Sequence, residues 1–292
     1  MVSHVLTLPS DLASHLSVIP YLTISIVALL AAALTFFSGF GLGTLLLPAF
    51  AIFLPVEVAV GATAVVHLAN NLFKVALMGR HADRAITPVF AATSAAGALV
   101  GAYALTRIVG AAPLCSYAVF GHAFHVTLVK VVVAALMIGF AILDLTPATS
   151  RWGLPRRYLW MGGLLSGFFG GLSGHQGALR SAFLVRTNMP KEALVGTRAV
   201  CAVAVDASRL LVYSVAAFMI TGGASPTTGA AATARSLHES GTWPLVAVGC
   251  GAALLGSLLG TRLLKEVTIV GVRATVAVAL LLMGVAVGAG LV

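Results

Sequence analysis

The chain has 292 residues, of which 60% are hydrophobic and 9% charged, with a mean hydropathy of +1.06. A soluble domain of this length does not carry such a composition. The formal net charge of +9 would suit a nucleic-acid partner, but in a membrane protein basic residues chiefly record which loops stayed in the cytoplasm.

Taken in chain order, the first apolar stretch is Ile19–Phe37. No basic region precedes it, the first Lys or Arg being Lys74, so a cleavable leader is not expected. Glycines at Gly39–Gly43 then break the pattern, which resumes as Thr44–Leu54. At about 1.5 Å per residue the resumed piece is roughly 18 Å long, too short to cross. The pair therefore reads as a re-entrant or broken hairpin. Three spans follow, Val58–Met78, Pro88–Thr106 and Val126–Leu143. A second hairpin is expected from Tyr158–Phe169 and His175–Val185, followed by Ala193–Ile220, Pro244–Leu264 and Thr268–Leu291. The expected fold is an all-α polytopic membrane protein of roughly eight to ten membrane segments, with one repeat in residues 1–150 and another in 151–292. The alternation that a barrel strand needs is absent from the sequence.

The repeat is visible in the residues. Ser38-Gly39-Phe40-Gly41-Leu42-Gly43 aligns with Ser166-Gly167-Phe168-Phe169-Gly170-Gly171, and Pro55-Val56-Glu57 with Pro190-Lys191-Glu192. Val60-Gly61 aligns with Val195-Gly196, Asn71 with Asp206, and Lys74 with Arg209. A hairpin plus three spans is an odd number of crossings, so the second repeat should be inverted relative to the first. With the termini outside, the inner loops hold Arg80, Arg84, Arg151, Arg156, Arg157, Arg186, Lys191, Arg262, Lys265 and Arg273, and the outer loops only Arg107, Lys130 and Arg235. That positive-inside bias favours the inverted arrangement. Gly97-Ala-Leu-Val-Gly101 and Gly256-Ser-Leu-Leu-Gly260 read as close helix contacts, and Thr221–Gly241 as a flexible outer connection.

At the glycine breaks the chain resembles the sulfite exporter (TauE/SafE) family, also called the toluenesulfonate uptake permease family. The resemblance rests on Gly39-Phe-Gly41-Leu-Gly43 with Pro48 a turn later, and on Pro55-x-Glu57-x-Ala59-Val60-Gly61-x-Thr63. The second copy supplies Gly163-Leu-Leu-Ser-Gly167 and Pro190-x-Glu192-Ala193-x-Val195-Gly196-Thr197. It covers nearly the whole chain and implies a multi-pass protein of the bacterial inner membrane. The implied cargo is a small anion: sulfite, thiosulfate, sulfoacetate, another sulfonate or an organic acid. One departure is Ser173-Gly174-His175-Gln176-Gly177-Ala178-Leu179-Arg180, where the family's second copy usually has a glycine run and then a proline.

Substrate-binding candidates follow from the breaks. A glycine break in lipid frees backbone N–H groups, and helix N-termini attract anions. Gly41, Gly43 and Thr44 at the first break, and Ser173, Gly174, His175 and Gln176 at the second, are the expected cradle. Arg180 lies inside the membrane, where a charge is costly unless paired or facing water. It either grips the anion or forms an interior ion pair with Asp206. His175 either tunes affinity with pH or is an ordinary hydrogen-bonded residue. The matched pairs Asn71/Lys74 and Asp206/Arg209 fall on one face of their helices. They are expected to gate opposite mouths, the alternatives being a snorkelling Lys74 and a structural Asp206–Arg209 pair. Arg198 reads as a headgroup anchor.

Cys115, Cys201 and Cys250 lack metal or disulfide spacing and read as packing residues. His122 and His125 are one helical turn apart with no carboxylate or cysteine nearby in sequence, so metal is not expected there. No cofactor is expected and no enzymatic role, since clustered carboxylates or a nucleophile–base pair are missing from the sequence. The expected partners are the small anion and the lipid bilayer, without nucleic acid, and a homodimer is compatible with the chain. An anion leaving a cell that is negative inside gains about 2.3 kcal/mol per charge per 100 mV. Potential-driven export by alternating access at a midplane site is thus the simplest mechanism. An anion channel, a membrane-embedded enzyme and an assembly subunit are the rival classes.

Overall fold

The computed structural model describes residues 10–38, 42–109, 111–119, 122–146, 156–184, 187–221, 242–263 and 269–291. Its helices are α1 (Ser10–Ser38), α2 (Leu42–Ala51), α3 (Val56–Met78), α4 (Ile86–Ile108), α5 (Leu128–Leu145), α6 (Leu159–Ser173), α7 (Gly177–Leu184), α8 (Lys191–Thr221), α9 (Thr242–Leu263) and α10 (Ile269–Gly288). Among the described residues, Val18–Phe36, Val56–His81, Ile86–Ile108, Lys191–Ala216 and Thr242–Arg262 are long and apolar enough to cross a bilayer. Large apolar side chains such as Leu30, Leu72, Val100, Leu211, Leu255 and Leu282 face outward. A greasy exterior around a polar interior is the pattern lipid imposes.

Four features depart from the sequence reading. The opening arm of the first hairpin is a 29-residue helix, longer than the expected Ile19–Phe37. The counterpart α6 has 15 residues, so the two hairpins are unequal. The expected span from Val126 instead begins at Leu128, after Thr127 caps α5 by accepting from the Lys130 amide. Before it lies an antiparallel hairpin, β1 (Cys115–Val119) and β2 (His122–Val126), pairing Cys115 with Val126 and Val119 with His122. Finally, Ser166-Gly167-Phe168 is not at a break but inside α6.

The repeat register at the breaks is set by the separation of 135 residues between Asn71 and Asp206. The same separation carries Ser38-Gly39 onto Ser173-Gly174, and the starts of α2 and α3 onto those of α7 and α8. Gly163, Gly167 and Gly171 of α6 therefore serve another purpose. A Cβ at Gly167 would strike the Ser94 carbonyl, and one at Gly97 or Gly101 would strike the carbonyls of Leu164 or Phe168. The backbones of α4 and α6 run side by side in the same direction. Likewise Gly256 abuts the Leu29 carbonyl and Gly260 that of Ala33, which locks α9 onto α1, again parallel. The two Gly-xxx-Gly stretches are close helix contacts, as expected.

Two other pairs are antiparallel. Gly196 near the start of α8 meets the Met78 carbonyl at the end of α3. On α10, Gly284 meets Ile138 and Gly288 meets Ala134 of α5. Tyr117 and Lys130 donate to the carbonyls of Ala289 and Gly290, tying the β-hairpin to the end of α10. The packing partners exchange under the correspondence α1/α6, α2/α7, α3/α8, α4/α9 and α5/α10, with α1–α9 answering α4–α6. The connection expected at Thr221–Gly241 lies outside the described residues after Thr221, as do Arg151, Arg186, Arg235 and Lys265.

Candidate functional site

The second half of helix α3 is apolar except for a stripe of His67, Asn70, Asn71 and Lys74, all buried. These positions are one and two turns apart, so they share a face. Glu57 sits in the first turn, where the helix dipole favours an acid. Helix α8 presents Arg198, Asp206 and Arg209, also buried.

Between them lies the second break. Helix α6 stops because Gly174 adopts φ +84°, a left-handed conformation that glycine reaches without Cβ strain. The Gly174 amide donates back to the Gly170 carbonyl, and the Arg180 amide to the Gln176 carbonyl as α7 begins. A Cβ at Gly174 would also sit 2.9 Å from Arg209 Nη1. Gly43, near the start of α2, lies within ordinary contact of Thr63, His67 and the Gly174 carbonyl. Thus the start of α2 meets the second break.

Asp206, fully enclosed, is the hub. His67 Nδ1 lies 2.6 Å from Oδ2 and Arg209 Nη2 lies 2.8 Å from Oδ1. Asn71 Nδ2 donates to Oδ2 at 3.3 Å and Gln176 Nε2 to Oδ1 at 3.4 Å. A buried carboxylate is tolerable only with such a set of partners. Arg209 Nη1 donates in addition to the Gly170 carbonyl.

Beside this hub, toward the end of α3 that carries Met78, is a cavity of about 30 Å³ lined by Lys74, Arg180, Arg198, His67, Asn71 and Thr35 together with apolar neighbours. Arg180 Nη1 donates to Gln176 Oε1 at 3.3 Å and to the Arg198 carbonyl at 3.1 Å, while its Nε has no hydrogen-bond partner. Lys74 Nζ stands over the Phe36 ring, 5.2 Å from its centroid. Among the described residues both ion pairs of this region go to Asp206, and neither Lys74 nor Arg180 has a carboxylate within pairing distance. Buried cations without counter-charge make the cavity electropositive, and a guanidinium matches a pair of oxyanion oxygens. The space admits about two water molecules.

The expected site residues divide into groups. Arg180, Asn71 and Lys74 line the cavity. Gln176 braces it by joining Arg180 to Asp206. Gly43 and Gly174 lie where the start of α2 meets the second break, and Thr44 is buried on α2. Ser173 and His175 turn away: their side chains lie 3.0 Å apart, Ser173 donates to the Phe169 carbonyl, and His175 stacks on Phe140. Gly41 lies outside the described residues.

Several expectations are corrected. Arg209, expected toward a mouth, is 0% exposed, because the Asp206 carboxylate holds it. Arg180 reaches Asp206 only through Gln176, not by the direct pairing considered from sequence. Arg198, expected at the headgroups, is buried on the cavity wall. His122 and His125 are on a strand, where three residues apart means opposite faces, and His125 partners Ser116. Among the described residues no three His, Cys, Asp or Glu side chains cluster. His67 was missed. Its signal was the spacing of His67, Asn70, Asn71 and Lys74 along an otherwise apolar helix.

The family model described as sulfite exporter TauE/SafE matches residues 24–287. No curated protein matches the chain.

Proposed function

Because the chain belongs to the sulfite exporter TauE/SafE family, a family of membrane transporters and not of enzymes, we propose that this multi-pass protein exports sulfite or a related small sulfur oxyanion or sulfonate. The observation that carries the reading is the cavity in which Lys74 and Arg180 stand without a carboxylate among the described residues. An anion entering there satisfies the free Arg180 Nε and supplies the missing counter-charge. Asp206 remains bound to His67 and Arg209 and keeps those groups from collapsing onto the cargo.

Movement is by alternating access between two inverted repeats, residues 1–150 and 151–292. The antiparallel packing of α3 on α8 and of α5 on α10 supports the inversion, as does the exchange of packing partners between repeats. Lys74 gates the side of the Met78 end, Arg209 at the matching position is held by Asp206 as a structural pair, and the breaks with Thr44, Ser173 and His175 support the site from behind. The basic loop residues Arg80, Arg84, Arg156 and Lys191 face the cytoplasm and the termini face out. They gather at one end of the bundle, where Gly196 meets Met78 and Arg156 donates to the Thr187 carbonyl. The membrane potential drives the anion outward.

The test is flux in proteoliposomes under an imposed potential without a pH gradient, with sulfite, thiosulfate, sulfoacetate and a carboxylate control. Saturable movement of a sulfur oxyanion that follows the potential and is lost in Arg180→Gln is the expected result. No movement of any of these anions by a folded protein would overturn the reading.

A further inference from the structure

The cavity has a hidden counterpart. Applying the separation of 135 residues to its lining carries Val195, Arg198 and Ala199 onto Val60, Thr63 and Ala64, and His67 and Lys74 onto Ala202 and Arg209. In this structure those counterparts are closed: Val60, Thr63, Ala64, Ala202 and Arg209 are all essentially buried. They are nevertheless neighbours. A Cβ added at Gly43 would come into contact with both Thr63 and the Gly174 carbonyl, and one added at Gly174 would meet the Arg209 guanidinium. Thr63 Oγ1 is buried and has no hydrogen-bond partner, so this seam already contains a polar group without a mate.

A path leads to it. At the Pro55 end of α3, opposite the Met78 end, is a second cavity of about 550 Å³ whose wall includes Val56, Glu57 and Lys130. Val56, Val60, Thr63 and His67 follow one another at spacings of three and four residues, along a single face of α3. The larger cavity thus ends one helical turn short of the closed seam, toward the end of α3 away from the first cavity.

We propose that this seam opens as a second access cavity, on the face of the protein opposite Arg80, and that it holds oxyanions more weakly than the Lys74–Arg180 cavity. The proposal rests on the inverted-repeat reading above. The weakness follows from the residues exchanged: Thr63 stands where the other repeat has Arg198, Ala202 where it has His67, and Leu45 where it has Arg180. Arg209 is the remaining cation of the set, and Asp206 already engages it. An anion moving from the Arg80 face to the other therefore passes from a strongly cationic site to a weakly cationic one. The cargo is captured on one side and let go on the other.

The experiment uses the full chain with Cys115, Cys201 and Cys250 replaced by Ala, after confirming that sulfite flux persists. Thr63→Cys, Val60→Cys and Ala199→Cys are then exposed, from each face separately, to a membrane-impermeant anionic methanethiosulfonate. Ala199→Cys should react from the Arg80 face, and Thr63→Cys and Val60→Cys from the opposite face. The half-saturating sulfite concentration should be higher on the Thr63 face by roughly tenfold or more, the effect of losing a charged hydrogen bond. Thr63→Arg should narrow that gap.

Reaction of both Thr63→Cys and Val60→Cys from the Arg80 face, or from neither face in protein that still moves sulfite, would overturn the second cavity. Equal half-saturation on the two faces would overturn its weaker grip. Absence of flux in the unmodified chain would count instead against the transport function, while the labelling pattern would still decide the cavity.

Discussion

The two halves of the chain use the same backbone plan for unlike chemistry. In the first, the break is glycine and phenylalanine, α2 has no charged residue, and the polar groups sit on α3 as a stripe. In the second, the break carries Ser173, His175 and Gln176, α7 carries Arg180, and α8 carries the acid of the hub. Neither half completes a site. Asp206 needs His67 and Asn71 from the other half, and Lys74 shares its cavity with Arg180 and Arg198. The carboxylate comes from α8, and the cations around it come from α3, α7 and α8.

That contrast can be broken most severely at the hub. Asp206→Ala leaves Arg209 buried without its partner, and removing one member of a buried pair costs about 3–5 kcal/mol. The expected outcome is a large fall in the melting temperature of purified protein, along with loss of flux. An unchanged melting temperature would mean the halves are not joined through this carboxylate. Arg180→Gln should keep the fold and reduce sulfite flux by roughly tenfold to a hundredfold, the worth of a charged hydrogen bond, whereas Leu179→Met beside it should leave flux intact. Comparing the breaks themselves, Gly174→Ala should destabilise by about 1–2 kcal/mol, because φ is +84° there. Gly43→Ala should be nearly silent in a thermal melt, since its Cβ would meet only ordinary contacts of 3.4 Å and longer. Smallest of all, His175→Asn should leave sulfite saturation and its potential dependence unchanged. A shift there would return His175 to the binding site.

Much of this was legible in the sequence. Composition marks the membrane, and the pairing of Asn71 with Asp206 and Lys74 with Arg209 already has the offset that relates the starts of α2 and α3 to those of α7 and α8. The break was harder to align because α6 carries glycines for two reasons: Gly174 ends the helix, and Gly163, Gly167 and Gly171 let α4 approach. A glycine pattern alone does not separate a turn from a contact. His67 escaped because it has no polar counterpart in the other repeat, where the position is Ala202. The fate of Arg198 depended on which way one turn of α8 faces, and only tertiary packing decides that. The strand pair at Cys115–Val126 is short and sits beside an apolar span, so periodicity assigned its last residue to the helix.

The glycine seams carry a consequence for how the chain is made. Helix α6 is synthesised when α4 is already complete, so Gly167 can close on Ser94 while the rest of the chain is still emerging. Helix α1 is in the opposite position. The groove along Leu29 and Ala33 is filled by Gly256 and Gly260 of α9, which is made long after it. For most of the time of synthesis, at about 5–20 residues per second, α1 must wait in lipid with its mate unmade. Helix α1 is inserted long before it is docked, and a nascent chain stalled before α9 exposes a helix groove that a chaperone or membrane protease can recognise.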